Sequence, residues 1–361
     1  MKKLTLLALC TLFTLVVKAQ YVGLNDKEIQ NLKTRMGSDA DAMRYYNDYH
    51  KLADQAVNEN PDPVDTIRTE GLLAGNPKKT ATTTALRDMK KMYALAIAYK
   101  VEAEKSYLQN LKTYLTAWAK VNVSKGDPID DTNLDDAIEA YDMVKANLKP
   151  DERVLISRWL AQAADAEIKT FTPGKITGTN NWQSHRLKVV GEIGFAIDNA
   201  DYQKFAIEGL KKQIEVNLYA DGSGMDFKLR DALHYHAYTL EPLLKLAIVL
   251  KRATGIDYYS MRSPAGSSIK KSVEWFLPYV TGEKTHREYV KSTEKFDGER
   301  ARNGEADFKP GTLFDPLNGL KTLALAAYFD PKYTEIVKTI GSRTKPGYFD
   351  WQLVLNSAEK N

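Results

Sequence analysis

Apolar residues recur at three- and four-residue spacing along most of the chain. In residues 84–100, TALRDMKKMYALAIAYK, the side chains of Leu86, Met89, Tyr93, Ala96 and Ile97 fall on one face of a helix. The same period predicts helices over 106–120, 134–147, 151–168, 183–198, 201–216, 240–253, 268–280 and 319–329. Strand-like alternation is hard to find. Clusters such as NVSKGDPID, TFTPGKITGT, YADGSGMDF and SPAGS read as the loops between helices. The pattern predicts an all-α protein.

A faint repeat narrows the architecture. An Ala-rich apolar helix ends, a short polar turn follows, and an aromatic residue opens a second helix. Tyr107, Phe205 and Tyr333 are three such openers, and LAIVLKRATGIDYYSM is a looser copy. Each helix pair has one face to bury. Stacking the pairs in a ring gives an inner layer, an outer layer and a central cleft, so the expected fold is an α/α toroid (an incomplete α/α barrel). An irregular all-α domain is the alternative. Between Glu283 and Pro316 the helical period fades into a long polar loop. There Arg287, Lys291, Arg300 and Arg302 either meet an anionic ligand or form solvated surface.

The first residues, MKKLTLLALCTLFTLVVKAQ, change the compartment. Two lysines, an apolar run and the small residues of Val17-Lys18-Ala19 read as a secretory signal peptide cut after Ala19. A lipoprotein site at Cys10 fits poorly, because Leu9 is bulky and the cysteine comes too early. The expected mature protein is one toroid over 20–361, periplasmic or secreted and monomeric. The single cysteine leaves with the leader, so disulfide and thiolate chemistry are excluded. The leader also carries three of the 51 basic residues, leaving 48 against 47 acidic ones and a charge of +1. Global charge therefore gives no reason to expect nucleic acid, and no later run is long enough to span a membrane.

Candidate chemistry concentrates in two stretches. In NNWQSHR, residues 180–186, a helix start near Asn181 puts Asn181 and His185 on one face, with Trp182 and Arg186 on the neighbouring stripe. The bland alternative is a capping Asn beside a partly buried His and a core Trp. In LRDALHYHAYTLEPL, a continuous helix aligns Arg230, His234 and Tyr238, whereas an extended segment aligns His234, His236 and Tyr238. Pro242 suits the first turn of the helix that follows. Ordinary aromatic packing competes with both. A zinc site lacks HExxH and any cysteine, and Asp231 is the nearest carboxylate. A serine hydrolase lacks its nucleophile elbow.

Amide, guanidinium, imidazole and phenol together suit β-elimination on a polyuronate. The reaction removes the C5 proton beside a carboxylate and protonates the O4 leaving group. Asn, Arg and His can blunt the charge that builds on the carboxylate. Tyr and His can move protons. A basic phenolate needs nearby positive charge, for which Arg186, Arg230 and the histidines are candidates.

Across residues 65–335 the chain resembles the alginate lyase domain family of polysaccharide lyases. The resemblance is carried by TALRDMKKMYALAIAYKVEAEKSYLQNLKTYLTAWAKVN, GDPIDDTNLDDAIEAYDMV, NNWQSHR and YHAYTLEPL. It implies an α/α toroid acting on an anionic polysaccharide, with Asn181 neutralising a carboxylate and a histidine and Tyr238 transferring protons. It implies neither metal nor cofactor. Two positions depart from the family's best-known branch: its histidine directly after the Asn pair is Trp182 here, and its arginine seven residues before the tyrosine is Asp231. The expected catalytic set is Asn181, His185 and Tyr238. Trp182, Arg186, Arg230, His234, His236, Lys79 and Arg300 are the expected substrate contacts. Mannuronate-rich alginate is the first expected substrate and β-1,4-glucuronan the second. The alternatives are a non-catalytic glycan-binding protein and a carboxylate-based glycoside hydrolase on the same toroid.

Overall fold

Burial sorts the helices into two layers. The computed structural model describes residues 20–343 and 350–360; the expected signal peptide lies outside the described residues. In chain order the helices are α1 (Asp26–Met36), α2 (Ala40–Val57), α3 (Pro77–Ala85), α4 (Arg87–Glu102), α5 (Lys105–Val121), α6 (Pro128–Asp131), α7 (Asp135–Val144), α8 (Pro150–Thr170) and α9 (Asn181–Ala196). There follow α10 (Ala200–Val216), α11 (Met225–Arg230), α12 (Leu233–Thr254), α13 (Ile269–Thr281), α14 (Lys295–Arg302), α15 (Leu320–Ala326), α16 (Lys332–Gly341) and α17 (Trp351–Lys360). Among the described residues there is no β-strand, only the isolated bridges Leu218–Gly224 and Arg287–Leu313.

Every residue of α9 except Trp182 is buried, which is the mark of a helix surrounded on all sides. Neighbouring α4, α7, α12 and α15 form the inner layer with it: α4 packs on α7, α7 on α9, α9 on α12 and α12 on α15. The outer helices bury one face each. Thus α5 covers α4, α8 and α10 cover α9, α13 covers α12 and α16 covers α15. The first and last described helices join the ring, since α17 packs on α15 and α1, and α1 packs on α4. The Asn31 amide donates to the Ala358 carbonyl at 2.9 Å, and the Trp351 indole N–H to the Tyr93 hydroxyl at 3.0 Å. This is the expected toroid. No described helix is long and apolar enough to cross a membrane.

The inner helices run in one direction, because each returns through an outer partner. Their C-terminal ends meet around one cavity of about 1620 Å³, lined by Lys100, Lys145, Asn199, Arg252 and Tyr328 among others. Their N-terminal ends therefore converge on the opposite face. The positive dipole ends of the inner helices gather there.

Several local expectations change. Helices α1 and α2 were not evident from the apolar period. The predicted 240–253 helix begins at Leu233, so Pro242 lies in its interior rather than its first turn. The cause is remote in sequence: the Glu288 carboxylate accepts from the backbone N–H groups of Leu233 at 2.9 Å and His234 at 3.0 Å, supplying the cap that Ala232 lacks. The long polar loop contains α14, and Lys79 lies on α3.

One glycine is required by both conformation and space. Gly126 has φ +74°, and a Cβ there would sit 2.3 Å from the Ala166 carbonyl oxygen. Gly126→Ala is expected to cost roughly 1–3 kcal/mol. Denaturant unfolding should show a lower midpoint at unchanged slope; an unchanged midpoint would mean that the loop yields freely.

Candidate functional site

The two chemistry-bearing stretches meet at the N-terminal ends of α9 and α12. Asn180 caps α9 by accepting from the Trp182 N–H at 3.0 Å, which starts the helix at Asn181. One turn on, the His185 ring lies against the Tyr238 ring of α12, with centroids 4.3 Å apart. Within α12, the His234 ring is stacked nearly parallel to the Tyr238 ring at 6.2 Å and 8°. The phenol ring thus meets two imidazoles.

A residue that neither stretch contains fixes this meeting. Asp226, at the start of α11, is buried. It accepts from the Asn181 N–H at 3.1 Å, the Thr239 hydroxyl at 2.7 Å and the Asn217 amide at 2.9 Å. One carboxylate therefore ties the first residue of α9 to the neighbour of Tyr238. Burial raises its pKa, and those hydrogen bonds with Arg230 work against the rise. The only sequence signal was its place in the loop cluster YADGSGMDF.

The polar groups facing each other are incompletely bonded. The Asn181 side-chain oxygen is buried with no hydrogen-bond partner, and so is His185 Nε2. Buried polar atoms are normally satisfied; this orphaned oxygen is an acceptor and suits a donor such as a sugar hydroxyl, while the side-chain NH2 is the group of Asn181 that can meet an anion. Burial drives the His185 pKa well below its usual value, and the Lys188 and Lys321 charges add to this. The Tyr238 backbone carbonyl pulls the other way, from outside hydrogen-bond geometry. His234 is lowered by burial first and by Arg300 next. Both imidazoles are therefore neutral at neutral pH.

Tyr238 moves in the opposite direction from a phenolate base. Burial raises its pKa, Glu70, Tyr235 and Glu241 raise it further, and Arg300 alone among the main contributors lowers it. The guanidiniums expected to activate it point elsewhere. Arg186 is buried against α8, with Nε donating to Glu167 at 3.1 Å and Nη1 to Gln183 at 2.8 Å. Arg230 donates to Asp297 at 2.6 Å and lies 3.8 Å above the Tyr235 ring. It does not continue the His234–Tyr238 stripe, because Asp231, at φ +48°, ends α11 before α12 begins.

The other expected contacts divide similarly. His236 is a core residue on another face of α12. Its Nε2 meets the Ser272 carbonyl at 3.2 Å, its ring packs on Trp275 and Phe276, and burial lowers its pKa to about 4. Lys79 donates to the Leu72 carbonyl at 2.9 Å. Trp182 is half-buried at the mouth of α9. Arg300 does reach the site: Nη1 donates to the Tyr235 hydroxyl at 2.8 Å, Nη2 lies 4.0 Å from Glu70, and the guanidinium covers Phe308. Phe308 in turn meets the His234 ring edge-on. No group of three or more His, Cys, Asp or Glu placed to hold a metal occurs among the described residues.

Comparison with known proteins bears on the fold and the family. The family described as alginate lyase matches residues 34–286. A polysaccharide lyase of Stenotrophomonas maltophilia (strain K279a) is 28% identical over 174 residues, 45% of this chain and 51% of that protein. The chain thus spans about half the length of that relative. An alginate lyase from Bacteroides ovatus superposes with a TM-score of 0.68 at 15% identity, covering 95% of this chain and all of that one. Alginate lyase A1-III from Sphingomonas species A1 gives 0.53 at 21% identity, covering 82% of this chain and 94% of that one. A variant of the A1-III enzyme complexed with a tetrasaccharide gives 0.54 at 20% identity, covering 82% of this chain and 93% of that one. At these identities the superpositions establish the toroid, and the family match establishes kinship: the chain belongs to the alginate lyase family.

Proposed function

We propose that the chain is an exported polysaccharide lyase that cleaves a uronic acid polymer by β-elimination, with mannuronate-rich alginate as first substrate and β-1,4-glucuronan as second. The observation that carries this reading is the neutral phenol of Tyr238 in ring contact with two neutral imidazoles, His185 and His234, with Asn181 one helical turn from His185 on α9. Family membership supports it, as does the saccharide bound to the A1-III variant.

The roles follow from protonation and exposure. The Asn181 side-chain NH2 and the Arg300 guanidinium hold the uronate carboxylate by donating to it and stabilise the charge that builds on it. His234 is less buried than His185 and its ring has no hydrogen-bond partner among the described residues, so it takes the C5 proton. The C5 electron pair forms the C4–C5 double bond, the C4–O4 bond breaks, and O4 takes the Tyr238 proton. The products are an unsaturated uronate end and a new hydroxyl end. The phenolate and imidazolium left side by side then exchange the proton, restoring the enzyme. Because His234 and Tyr238 project from one helix face, one turn apart, they address the same side of the sugar. That suits mannuronate or glucuronate, whose C5 hydrogen and O4 lie on the same side.

The test is ultraviolet absorbance of unsaturated uronate after incubation with polymannuronate, polyguluronate and glucuronan. Product from polymannuronate or glucuronan is expected. Saccharide binding without product would instead make the chain a glycan-binding protein. The pH profile tests the roles. A neutral imidazole base with a lowered pKa puts the acid limb of kcat/KM below about 6.5, and a phenol acid with a raised pKa puts the alkaline limb above about 10. A flat plateau between them is expected. A rate that climbs steadily towards pH 10 would assign the base to a Tyr238 phenolate.

A further inference from the structure

Resting on that reading, we propose that Thr132 and Lys188 are positioning residues that act through His185 to hold Tyr238 in place. The geometry is a chain of contacts from the inner wall of the toroid to the phenol. Lys188 lies one turn below Ser184 on α9 and makes an ion pair with Asp135 of α7. Its Nζ also donates to the Thr132 hydroxyl at 2.6 Å, and that hydroxyl meets His185 Nδ1 at 2.9 Å. An ammonium can only donate. The Thr132 hydroxyl therefore accepts from Lys188, and its own proton has one acceptor among the described residues, His185 Nδ1. The imidazole proton is then on Nε2.

That proton has a specific neighbour. Within α12 the carbonyl of Tyr238 would ordinarily accept from the N–H of residue 242, but residue 242 is proline and has none. The Tyr238 carbonyl lies close enough to His185 to oppose the fall in its pKa, and Nε2 makes no hydrogen bond among the described residues. Pro242 thus leaves open an acceptor that a buried Nε2–H can face, beside the ring contact of 4.3 Å. His185 is sheathed at 5% exposure, which suits a strut beneath the phenol better than a group that touches sugar. Asp135 keeps Lys188 in place by direct ion pairing. Glu192, one turn further along α9, is buried nearby, and burial with Asp135 pushes its pKa well above the usual carboxylate range against the pull of Lys188.

The experiment reads the His185 ring directly. Long-range proton–nitrogen NMR of the intact protein, with the His185 signals assigned by their loss in His185→Gln, distinguishes Nε2–H from Nδ1–H without any substrate. The wild type is expected to show Nε2–H. Thr132→Val, which keeps the shape but removes the hydroxyl, is expected to give a mixture of tautomers. On polymannuronate or glucuronan its kcat should fall roughly tenfold to a hundredfold with KM nearly unchanged, and Thr132→Ser should restore both the tautomer and kcat. A wild-type ring carrying Nδ1–H would overturn the proposal, as would Thr132→Val with unchanged tautomer or unchanged kcat. A wild type that shows Nε2–H yet turns over no uronan would sink the lyase reading and, with it, the catalytic part of the proposal, while the hydrogen-bond chain itself would stand.

Discussion

Tyr238→Phe is expected to abolish the release of unsaturated uronate while leaving the fold intact. The phenol is the proton donor to O4 in the proposed elimination, and losing a general acid typically costs about 10²–10⁴ in rate. Its hydroxyl makes no hydrogen bond to another described residue, so removing it orphans no protein donor or acceptor. The ring, which contacts His185, His234 and Tyr235, remains. Stability should therefore change by less than about 1 kcal/mol. Initial rates on the responsive uronan and a denaturation curve measure both quantities. A variant that retains wild-type turnover would remove Tyr238 from the mechanism; one that fails to fold would show the hydroxyl to be structural.

The second large effect is expected at Asp226, outside both motif stretches. Asp226→Ala removes the acceptor for the Asn181 N–H, the Asn217 amide and the Thr239 hydroxyl at once. Each buried donor left without a partner costs about 1–3 kcal/mol. A loss of roughly 3 kcal/mol or more is expected, read as a lower denaturant midpoint. Activity should fall even where the variant is still folded, because the carboxylate holds the start of α9 in register with α12. Thr239→Val, which removes one of the three bonds, should show a fraction of the loss. A midpoint for Asp226→Ala within about 1 kcal/mol of wild type would mean that water replaces the carboxylate and that the two helices need no such tie.

Much of this molecule was legible from spacing. Residues 183–198 read as a helix because their apolar period is strong, and α9 occupies nearly that range. The Asn181–His185 face was also legible, since four-residue spacing brings two side chains together on any helix. His234 and Tyr238 pair for the same reason. The failures share another cause. Arg186, Arg230, His236 and Lys79 have the right chemistry, but a residue type does not state which way its helix is turned. Arg186 was drawn to Glu167, Arg230 to Asp297, and His236 to the aromatic wall of α13. Each of those partners is far from it in sequence or set by helix rotation. Glu288 and Asp226 were missed for the complementary reason: a lone carboxylate in a polar loop has no periodic context, and its importance lies wholly in which N–H groups the fold brings to it.

By itself, then, the amino-acid order determined that the chain is helical, that its helices come in pairs able to stack as a ring, and that amide, imidazole and phenol lie at two points which family resemblance links. These are properties of local period and composition, which neighbouring residues decide among themselves. Tertiary structure alone decided that the inner helices point their N-terminal ends at one face, that imidazoles from two helices meet one phenol, and that the phenol stays protonated. Those outcomes depend on burial and on charges contributed by distant segments, Glu70 and Arg300 among them. Electrostatic work falls off with distance in space, and chain separation sets no such distance until the fold has closed.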